Sequence, residues 1–369
     1  MRTSQTAKDR GDQSAKEKEV AMSVKWGVIG AGGIADRRTI PEGLIPAKNA
    51  ELVAVMDIDE GRVKQVAEKY GGLRYYTRVE DLLEDKQIEA VYIATPTYLH
   101  HQQTLMAARS GKHILCEKPM AMNLKDGEKM IAVCQENKVK LSLGYMMRYH
   151  TYNRKIKEII DGGKLGNLVM GRAQLTCWYP PIEGAWRQNP SLGAGGSLID
   201  MGSHCVDLLE WMMGPVREVF CFTSRLVHNY PVEDTATVLL RFKSGAQALV
   251  DSHFNVPDAS SENRLEIYGS KGSILARGTI GQDSTGEMVA KIEEQKGYQA
   301  GQRREEVREE SIVLEAKNIY QAEIEDFSNC ILQGEDAQPS FTGEDGLRNL
   351  KIVLAAYESA RKGRTVEIT

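Results

Sequence analysis

Between residues 23 and 145, short apolar runs alternate with charged segments that have helical spacing. One such segment, DEGRVKQVAEKYG (59–71), places Val63, Val66 and Ala67 on one side of a helix. Buried strands that alternate with amphipathic helices are typical of βαβ units in a parallel sheet. The pattern therefore predicts one doubly wound domain over residues 23–145. Its strands are expected within 25–30 (KWGVIG), 51–57 (ELVAVMD), 89–96 (EAVYIATP), 111–119 (GKHILCEKP) and 139–146 (VKLSLGYM).

The second part of the chain, residues 146–369, has a different pattern. Its β-rich runs follow one another without an alternating helix, which favours a largely antiparallel sheet. We expect these strands within 167–178, 216–228, 234–243, 245–256 and 263–276, and helices over 151–161, 198–213, 316–333 and 343–362. The fold class is therefore predicted to be α/β, with a second domain whose C-terminal helix can pack back on the first.

The composition excludes several classes of protein. The chain has 369 residues, of which 41% are hydrophobic and 27% charged, as in a packed globular protein. A net charge of −4 gives no electrostatic basis for binding nucleic acid or an acidic membrane, and no apolar run approaches the roughly 18 residues of a membrane span. Six cysteines without a C-x-x-C pair indicate free thiols in a reducing compartment, so we expect the cytoplasm. Residues 1–22 are polar and densely charged, which predicts a disordered tail.

A glycine-rich turn follows the first predicted strand. Gly30, Gly32 and Ala35 have the G-x-G-x-x-A form, and Gly33 and Ile34 lie between them. The first glycine permits a tight turn, and the second lets a pyrophosphate approach the backbone. The small third residue lets the strand and the next helix pack closely. The turn therefore predicts a dinucleotide site at these five residues.

The cofactor preference depends on the residues at the end of the second predicted strand. Asp57 stands at the position where a dinucleotide site carries an acidic residue. A carboxylate there accepts hydrogen bonds from the two ribose hydroxyls and repels a 2′-phosphate. Ile58 and Asp59 follow, without an arginine or lysine for that phosphate. NAD is therefore favoured over NADP, although Arg37 and Arg38 in the first helix could reach a phosphate.

Two further stretches carry titratable residues. Lys118 lies at the end of the fourth predicted strand, and ligands of open α/β sheets bind outside the carboxyl ends of the strands. In the stretch GGSLIDMGSHCVDLLEW (195–211), Asp200, His204 and Asp207 stand at i, i+4 and i+7, on one face of a helix. This face is either solvated surface or directs its acids and its histidine into a cleft.

The order of these motifs resembles the Gfo/Idh/MocA family from about Lys25 to near the C-terminus. The motifs are the glycine-rich turn, ATP (94–96), GKHILCEKP (111–119), GYMMRYH (144–150), WR (186–187) and GGSLIDMGSHCVDLLEW (195–211). The resemblance implies an N-terminal Rossmann domain and a C-terminal α/β domain with an open-faced sheet. It also implies NAD(P)-dependent oxidation or reduction of a sugar, cyclitol or related polyol, with Lys118, Asp200 and His204 as catalytic residues.

Oxidation of a secondary alcohol requires a base and a donor to the reacting oxygen. His204 is the expected base, because an ordinary histidine pKa of about 6.5 needs only a small shift to suit the working pH. Lys118 is expected to stabilise the developing alkoxide or to relay the proton itself. Asp200 is expected to orient His204 or a substrate hydroxyl. Asp207 either belongs to the same catalytic face or makes a structural hydrogen bond.

Further residues are expected around the two ends of this site. The cofactor is expected to contact the glycine-rich turn and Asp57, together with Thr95, Pro96, Glu117, Lys118, Trp186 and Arg187. The substrate is expected to contact Lys118, Tyr145, Arg148, Trp178, Asp200 and His204. Aromatic faces pack on sugar C–H surfaces, and arginine donates to hydroxyls or phosphate. The histidines lack partners at metal-ligand spacing, so no metal site is expected.

Three functions are compatible with these residues. The first is an NAD-dependent dehydrogenase that acts on a small carbohydrate or polyol. The second is a glycosidase that oxidises C3 transiently, and the third is a non-enzymatic regulator that senses a dinucleotide. An intact Lys118–Asp200–His204 set argues against the regulator. The resemblance also implies a homodimer or homotetramer, because members of this family pair subunits to cover the open sheet face, which would otherwise expose a large apolar patch.

Overall fold

The computed structural model describes residues 22–293 and 310–368, so the tail predicted over residues 1–22 lies outside the described residues except for Met22. The first domain is built on a six-stranded parallel sheet in the order β3-β2-β1-β4-β5-β6. This is the strand order of a dinucleotide-binding Rossmann fold, which confirms the predicted doubly wound sheet. Its strands are β1 Val24–Ile29, β2 Ala50–Met56, β3 Arg74–Tyr76, β4 Ala90–Ile93, β5 His113–Cys116 and β6 Leu141–Leu143.

Helices flank this sheet. Side-chain oxygens of Asp59 and Asn123 cap two of them by accepting hydrogen bonds from backbone N–H groups in the first turn. The helix that follows the glycine-rich turn is π-helical over Ala35–Leu44. It contains Pro41, which has no N–H for an α-helical bond. The four α-helices of this domain are α1 Glu60–Lys69, α2 Val79–Glu84, α3 Thr97–Arg109 and α4 Leu124–Glu136.

The second domain is built on a nine-stranded sheet in the order β14-β13-β12-β11-β7-β10-β9-β8-β15. All neighbouring strands are antiparallel except β7 and β10, which are parallel. The predicted, largely antiparallel sheet is therefore confirmed. Its strands are β7 Leu168–Thr176, β8 Val216–Ser224, β9 Thr235–Phe242, β10 Gln247–His253, β11 Arg264–Gly269, β12 Gly272–Arg277, β13 Glu287–Ile292, β14 Glu310–Ile312 and β15 Val366–Glu367.

Helices cover one face of the second sheet. Along β9, Ala236, Val238 and Leu240 are buried, whereas Leu239 between them is 51% exposed on the opposite face. This alternation is the period of two that a half-buried strand requires. The remaining helices are α5 Thr151–Asp161, α6 Pro190–Gly193, α7 Ser203–Met213, α8 Ile319–Leu332 and α9 Gly343–Lys362. None of the helices in residues 22–293 and 310–368 is long and apolar enough to cross a membrane.

The two C-terminal helices pack against the first domain. In α8, Phe327 lies 5.7 Å from the ring of Trp26, whose Nε1 donates a hydrogen bond to the Ser328 hydroxyl. Helix α9 begins beside β6, where Gly343 leaves room for the side chain of Leu141. Both contacts fix the second domain against the first and leave a cleft at the carboxyl ends of the Rossmann strands.

Candidate active site

The glycine-rich turn forms one wall of a cavity of about 440 Å³. Gly30 and Gly33 have φ angles of +88° and +56°, which disfavour other residues. A Cβ atom on Gly30 would lie 3.0 Å from the backbone of Ala94, so this turn fits closely against the end of β4. Because these glycines carry no side chain, a pyrophosphate can approach the backbone of the turn closely. Seven residues of the expected cofactor site line this cavity, namely Gly30, Gly32, Gly33, Asp57, Thr95, Pro96 and Trp186.

Asp57 lies at the edge of the same cavity, where the ribose of a dinucleotide would bind. Its carboxylate accepts hydrogen bonds from the backbone N–H groups of Gly32 (3.2 Å) and Asp59 (3.1 Å). The expectation that no cation stands beside Asp57 is wrong. Helix α1 places the guanidinium of Arg62 3.8 Å from the Asp57 carboxylate, and 54% of the Arg62 side chain is exposed. The side chain of Arg62 also lines the cavity, so an arginine is available to a phosphate there.

Lys118 reaches across the interdomain cleft to Asp200. It follows β5, and the peptide bond between Lys118 and Pro119 is cis. Its Nζ atom donates hydrogen bonds to the backbone oxygen (2.6 Å) and to Oδ1 (2.8 Å) of Asp200. Burial raises the pKa of Asp200, but the cations Lys118 and Arg187 outweigh this effect and hold the pKa well below its ordinary value. Asp200 is therefore a carboxylate that fixes the ammonium group of Lys118.

The helical stretch predicted over 198–213 begins in a π-helical turn, Leu198–Gly202, and continues as α7. His204 stands in the first turn of α7 and is 4% exposed. Its Nδ1 atom is buried without a hydrogen-bond partner among the described residues. Burial lowers the pKa of His204 well below its ordinary value, and the nearby Lys118 lowers it further. His204 is thus a neutral imidazole at neutral pH, which corrects the expectation of a pKa near the working pH.

Asp200 and Asp207, both on the predicted helical face, have different partners in the structure. Asp200 was expected to orient His204 or a substrate hydroxyl, but its carboxylate is held by Lys118 and by Arg187, whose Nε lies 3.4 Å from Oδ1. Asp207, one turn beyond His204, makes structural hydrogen bonds, which is one of the two alternatives left open by the sequence. It accepts three hydrogen bonds of 2.6–3.1 Å from Arg148 and is 2% exposed. The Asp200–His204 face is therefore separate from Asp207.

Tyr145 and Arg148, both expected to bind substrate, are buried in the packing between the domains. The Arg148 guanidinium lies over the ring of Phe341 at 4.4 Å, and its donors are taken by Asp207. The Tyr145 hydroxyl donates to the Asn349 side chain at 2.8 Å, although its ring also touches His204 edge-on at 5.4 Å. Both residues follow β6, where the chain forms a buried 3₁₀-helical turn over Met146–Tyr149 that sequence periodicity could not show. Both polar groups have partners within the protein, so a direct contact of either with the substrate stays a prediction.

The remaining expected site residues are Arg187, Glu117, Trp178, Ile34 and Ala35, and each has a defined environment in the structure. The Arg187 guanidinium stacks over Trp186 at 4.3 Å and lies beside Asp200, at the end of the cleft that holds Lys118. The Glu117 carboxylate accepts hydrogen bonds from the Tyr92 hydroxyl and from the backbone N–H of Lys118, and burial raises its pKa. Trp178 is 43% exposed, and its ring packs against His228 at 4.9 Å. Ile34 and Ala35 begin the π-helix behind the glycine-rich turn.

His100 is a residue whose position the sequence did not reveal. It is fully buried, and its two ring nitrogens lie 2.8 Å from the backbone oxygen of Thr95 and 2.9 Å from that of Pro119. The ring therefore joins the loops that follow β4 and β5, the two loops that border the cleft. The sequence signal that could have indicated this contact is the place of His100 in the first turn of α3, five residues after Thr95. Among the described residues, no three His, Cys, Asp or Glu side chains are grouped as metal ligands.

The arrangement can stabilise charge on a small oxygen-containing ligand. Lys118 presents an ammonium group whose direction is fixed by two oxygens of Asp200. A neutral His204 beside it can accept a proton, and its lowered pKa makes the protonated form a ready donor in the reverse direction. The nucleotide cavity and this pair lie at the same ends of β4 and β5, the place where open α/β sheets bind their ligands.

Comparison with known proteins agrees with this geometry. The model of an oxidoreductase family with an NAD-binding Rossmann fold matches residues 24–145, and that of the GFO/IDH/MocA C-terminal domain matches residues 153–275. The chain is 32% identical to 1,5-anhydro-D-fructose reductase of Ensifer adhaerens, over 93% of this chain and 98% of that protein. It is 30% identical to myo-inositol 2-dehydrogenase of Thermotoga maritima, over 94% and 98% respectively. The chain also resembles the solved structure of aldose-aldose oxidoreductase from Caulobacter crescentus in complex with glycerol. The TM-score is 0.82 and the sequence identity 27%, and the match covers 94% of this chain and all of that chain.

Similar structures contain either form of the nicotinamide cofactor. The WlbA dehydrogenase from Bordetella pertussis, 26% identical over 94% of this chain and 99% of its own with a TM-score of 0.77, was solved with NADH and UDP-GlcNAcA. A variant of the 3-ketoreductase KijD10 from Actinomadura kijaniata, 26% identical over 91% and 98% with a TM-score of 0.78, was solved with NADP and TDP-benzene. The chain therefore belongs to the GFO/IDH/MocA family of oxidoreductases and has an NAD(P)-binding Rossmann domain.

Proposed function

We propose that this protein is an NAD-dependent dehydrogenase that acts on a secondary hydroxyl of a sugar, cyclitol or related polyol. The observation that carries the proposal is the contact between Lys118 and Asp200, made beside a neutral His204 at the end of the sheet that holds the nucleotide cavity. Such a set can hold an alcohol oxygen and receive its proton. The similarity to 1,5-anhydro-D-fructose reductase and to myo-inositol 2-dehydrogenase supports a substrate of this class.

Each catalytic residue has one proposed task. Lys118 donates a hydrogen bond to the reacting oxygen and stabilises the negative charge that develops there. Asp200 holds Lys118 in place, and His204 accepts the hydroxyl proton. NAD, when bound along the glycine-rich turn and Asp57, supplies the hydride acceptor. In the reverse reaction, protonated His204 returns the proton to the oxygen of a ketone.

We propose that NAD is preferred to NADP. The Asp57 carboxylate is placed to accept hydrogen bonds from ribose hydroxyls, and it repels a 2′-phosphate. Arg62 reduces this repulsion, because its guanidinium lies 3.8 Å from the Asp57 carboxylate and is half exposed. The expected result is a preference for NAD together with measurable binding of NADP.

A substrate screen tests the proposed activity. Purified protein would be mixed with NAD and a panel of sugars, inositols, sugar acids and glycosides, and NADH would be followed by its absorbance. Stoichiometric NADH with at least one polyol supports the proposal, and no turnover with any member in either direction contradicts it. Release of an aglycone without net NADH would instead indicate a glycosidase. None of the relatives named above is described as a glycosidase or a regulator, so the comparisons do not support those two alternatives.

We also propose that the protein is a cytoplasmic homodimer or homotetramer joined through the open face of the second sheet. Apolar residues lie directly opposite one another on this face, where Phe220 pairs with Leu239 and Leu239 pairs with Leu249. A row of apolar side chains that is exposed to water favours association between subunits.

The proposed cytoplasmic location is supported by the cysteines, because all six are free thiols, as expected in a reducing compartment. The net charge of −4 gives no reason to expect a nucleic acid or a membrane as partner.

A further inference from the structure

The beginning of the helical stretch that carries Asp200 rests on a glutamate from another part of the fold. Glu233 lies two residues before β9, and its carboxylate accepts hydrogen bonds of 3.0 Å from the backbone N–H groups of Gly196 and Leu198. It also accepts a hydrogen bond of 2.6 Å from the hydroxyl of Tyr357 in α9. The first N–H groups of a helix have no partner within the helix and favour a negative charge. Glu233 therefore caps this stretch from outside it.

The two glycines that open the stretch are explained by this contact. A Cβ atom on Gly195 would lie 2.1 Å from the hydroxyl oxygen of Tyr357, and one on Gly196 would lie 2.0 Å from the backbone oxygen of Glu233. Any side chain at either position would push the helical stretch away from its support. The glycines therefore let the backbone lie directly against Glu233 and Tyr357.

We propose that Glu233 and Tyr357 are positioning residues that set where Asp200 meets Lys118, an inference that rests on the proposed function. Asp200 is only two residues beyond Leu198, and its N–H is bonded to the backbone oxygen of Gly196. Lys118 is held by both the backbone oxygen and the carboxylate of Asp200, so both acceptors move when this turn moves. A misplacement of about 1 Å in such a site can cost about 10²-fold in rate.

The first test measures the environment of Lys118 without any substrate. Glu233→Gln removes the negative charge that the first N–H groups of a helix favour. It also replaces Oε2, one of the two oxygens that accept from Gly196, by an NH₂ group that cannot accept. Each protein would be treated briefly with acetic anhydride, and acetylation of Lys118 would be quantified by peptide mass spectrometry. We expect Lys118 to react at least 3-fold faster in Glu233→Gln, and faster to a smaller extent in Tyr357→Phe. Lys112, a buried lysine bonded to the backbone oxygens of Asp85 and Ile88, is the internal control and should not change.

The second test separates positioning from a general loosening of the fold. Glu233→Gln should lower kcat about 10- to 100-fold, while the affinity for NADH stays within about 3-fold of the wild-type value. The control is Tyr320→Phe, since the buried hydroxyl of Tyr320 in α8 has no hydrogen-bond partner among the described residues, and its kcat should not change.

The proposal would be overturned if folded Glu233→Gln and Tyr357→Phe proteins kept the wild-type kcat and the wild-type rate of Lys118 acetylation. It would also be overturned if their affinity for NADH fell in proportion to kcat. If Glu233→Gln does not fold, Tyr357→Phe decides by the same two measurements. If the wild-type protein turns over no substrate, the proposed function fails, and the acetylation test still decides whether these residues position Lys118.

Discussion

At the scale of single residues, Lys118 and His204 carry the proposed reaction. Lys118→Ala and His204→Ala should each lower kcat by roughly 10²–10⁴, the usual range for general acid–base groups. The double variant should be far less impaired than the product of the two, as expected for groups that act as a unit. NAD affinity should change little, because neither residue is part of the glycine-rich turn. Steady-state kinetics and fluorescence titration with NADH measure both quantities. Normal turnover in folded His204→Ala would show that the Asp200–His204 face is not catalytic.

The pH dependence of the reaction follows from the surroundings of His204. Its pKa lies well below the ordinary value, because the ring is buried and Lys118 stands beside it. The neutral form is therefore kept as the pH falls through about 6.5, the ordinary histidine pKa. The plot of kcat/KM against pH should show no acidic limb in that region. A limb near pH 6.5 that disappears in His204→Gln would contradict this assignment.

We expect the side chains of Asp57 and Arg62 to set the proposed cofactor preference together. Asp57→Ala should weaken the preference for NAD over NADP by about 1–3 kcal/mol, the scale of a hydrogen bond to a charged group. Arg62→Ala should lower NADP affinity more than NAD affinity, because it removes the cation 3.8 Å from Asp57. Titrations with NADH and NADPH test both changes. Tighter binding of NADPH than of NADH by the wild-type protein would contradict the proposed preference.

At the scale of elements, a buried ion pair fixes α7 against the turn that follows β6. Arg148 follows β6 and makes its hydrogen bonds to Asp207 of α7, with exposures of 6% and 3% for the two side chains. Arg148→Met should lower the free energy of unfolding by about 3–5 kcal/mol, since it leaves a buried carboxylate without its partner. Lys155→Met breaks the exposed pair with Glu158 and should cost no more than about 1 kcal/mol. Urea unfolding measures both, and equal costs would show that the buried pair has no special role.

At the scale of the whole molecule, the open face of the second sheet predicts an assembly. Leu239→Glu places a charge in the apolar row formed with Phe220 and Leu249, so it should shift the protein toward monomers in light scattering. Ile45→Glu, at a 53% exposed position of the first domain, is the matched control and should leave the mass unchanged. A wild-type protein that remains monomeric at all working concentrations would refute the assembly.

The sequence predicted those features that depend on neighbouring residues. The alternation of apolar runs with helical segments predicted the parallel sheet. The glycine-rich turn and Asp57 were placed together because they end two consecutive strands of one predicted βαβ unit, whose carboxyl ends meet at one edge of the sheet. The short strand β3, mostly exposed, has no such pattern and was not predicted. The π-helical turns at Ala35–Leu44 and Leu198–Gly202 were also read as ordinary helix, because their residue spacing is close to that of an α-helix.

The sequence by itself therefore determined the fold class, the nucleotide end of the cleft, and the identities of Lys118, Asp200 and His204 as candidates. Only the tertiary structure decided what each side chain touches. Asp200 and Lys118 are 82 residues apart, so their pairing depends on how the two domains pack. Arg148 and Asp207 are 59 residues apart, and they pair because α7 packs against the turn that follows β6. The low pKa of His204 has the same origin, since burial and a cation from the other domain produce it. Periodicity reports which residues share a face, whereas charge pairing and desolvation depend on distances through space.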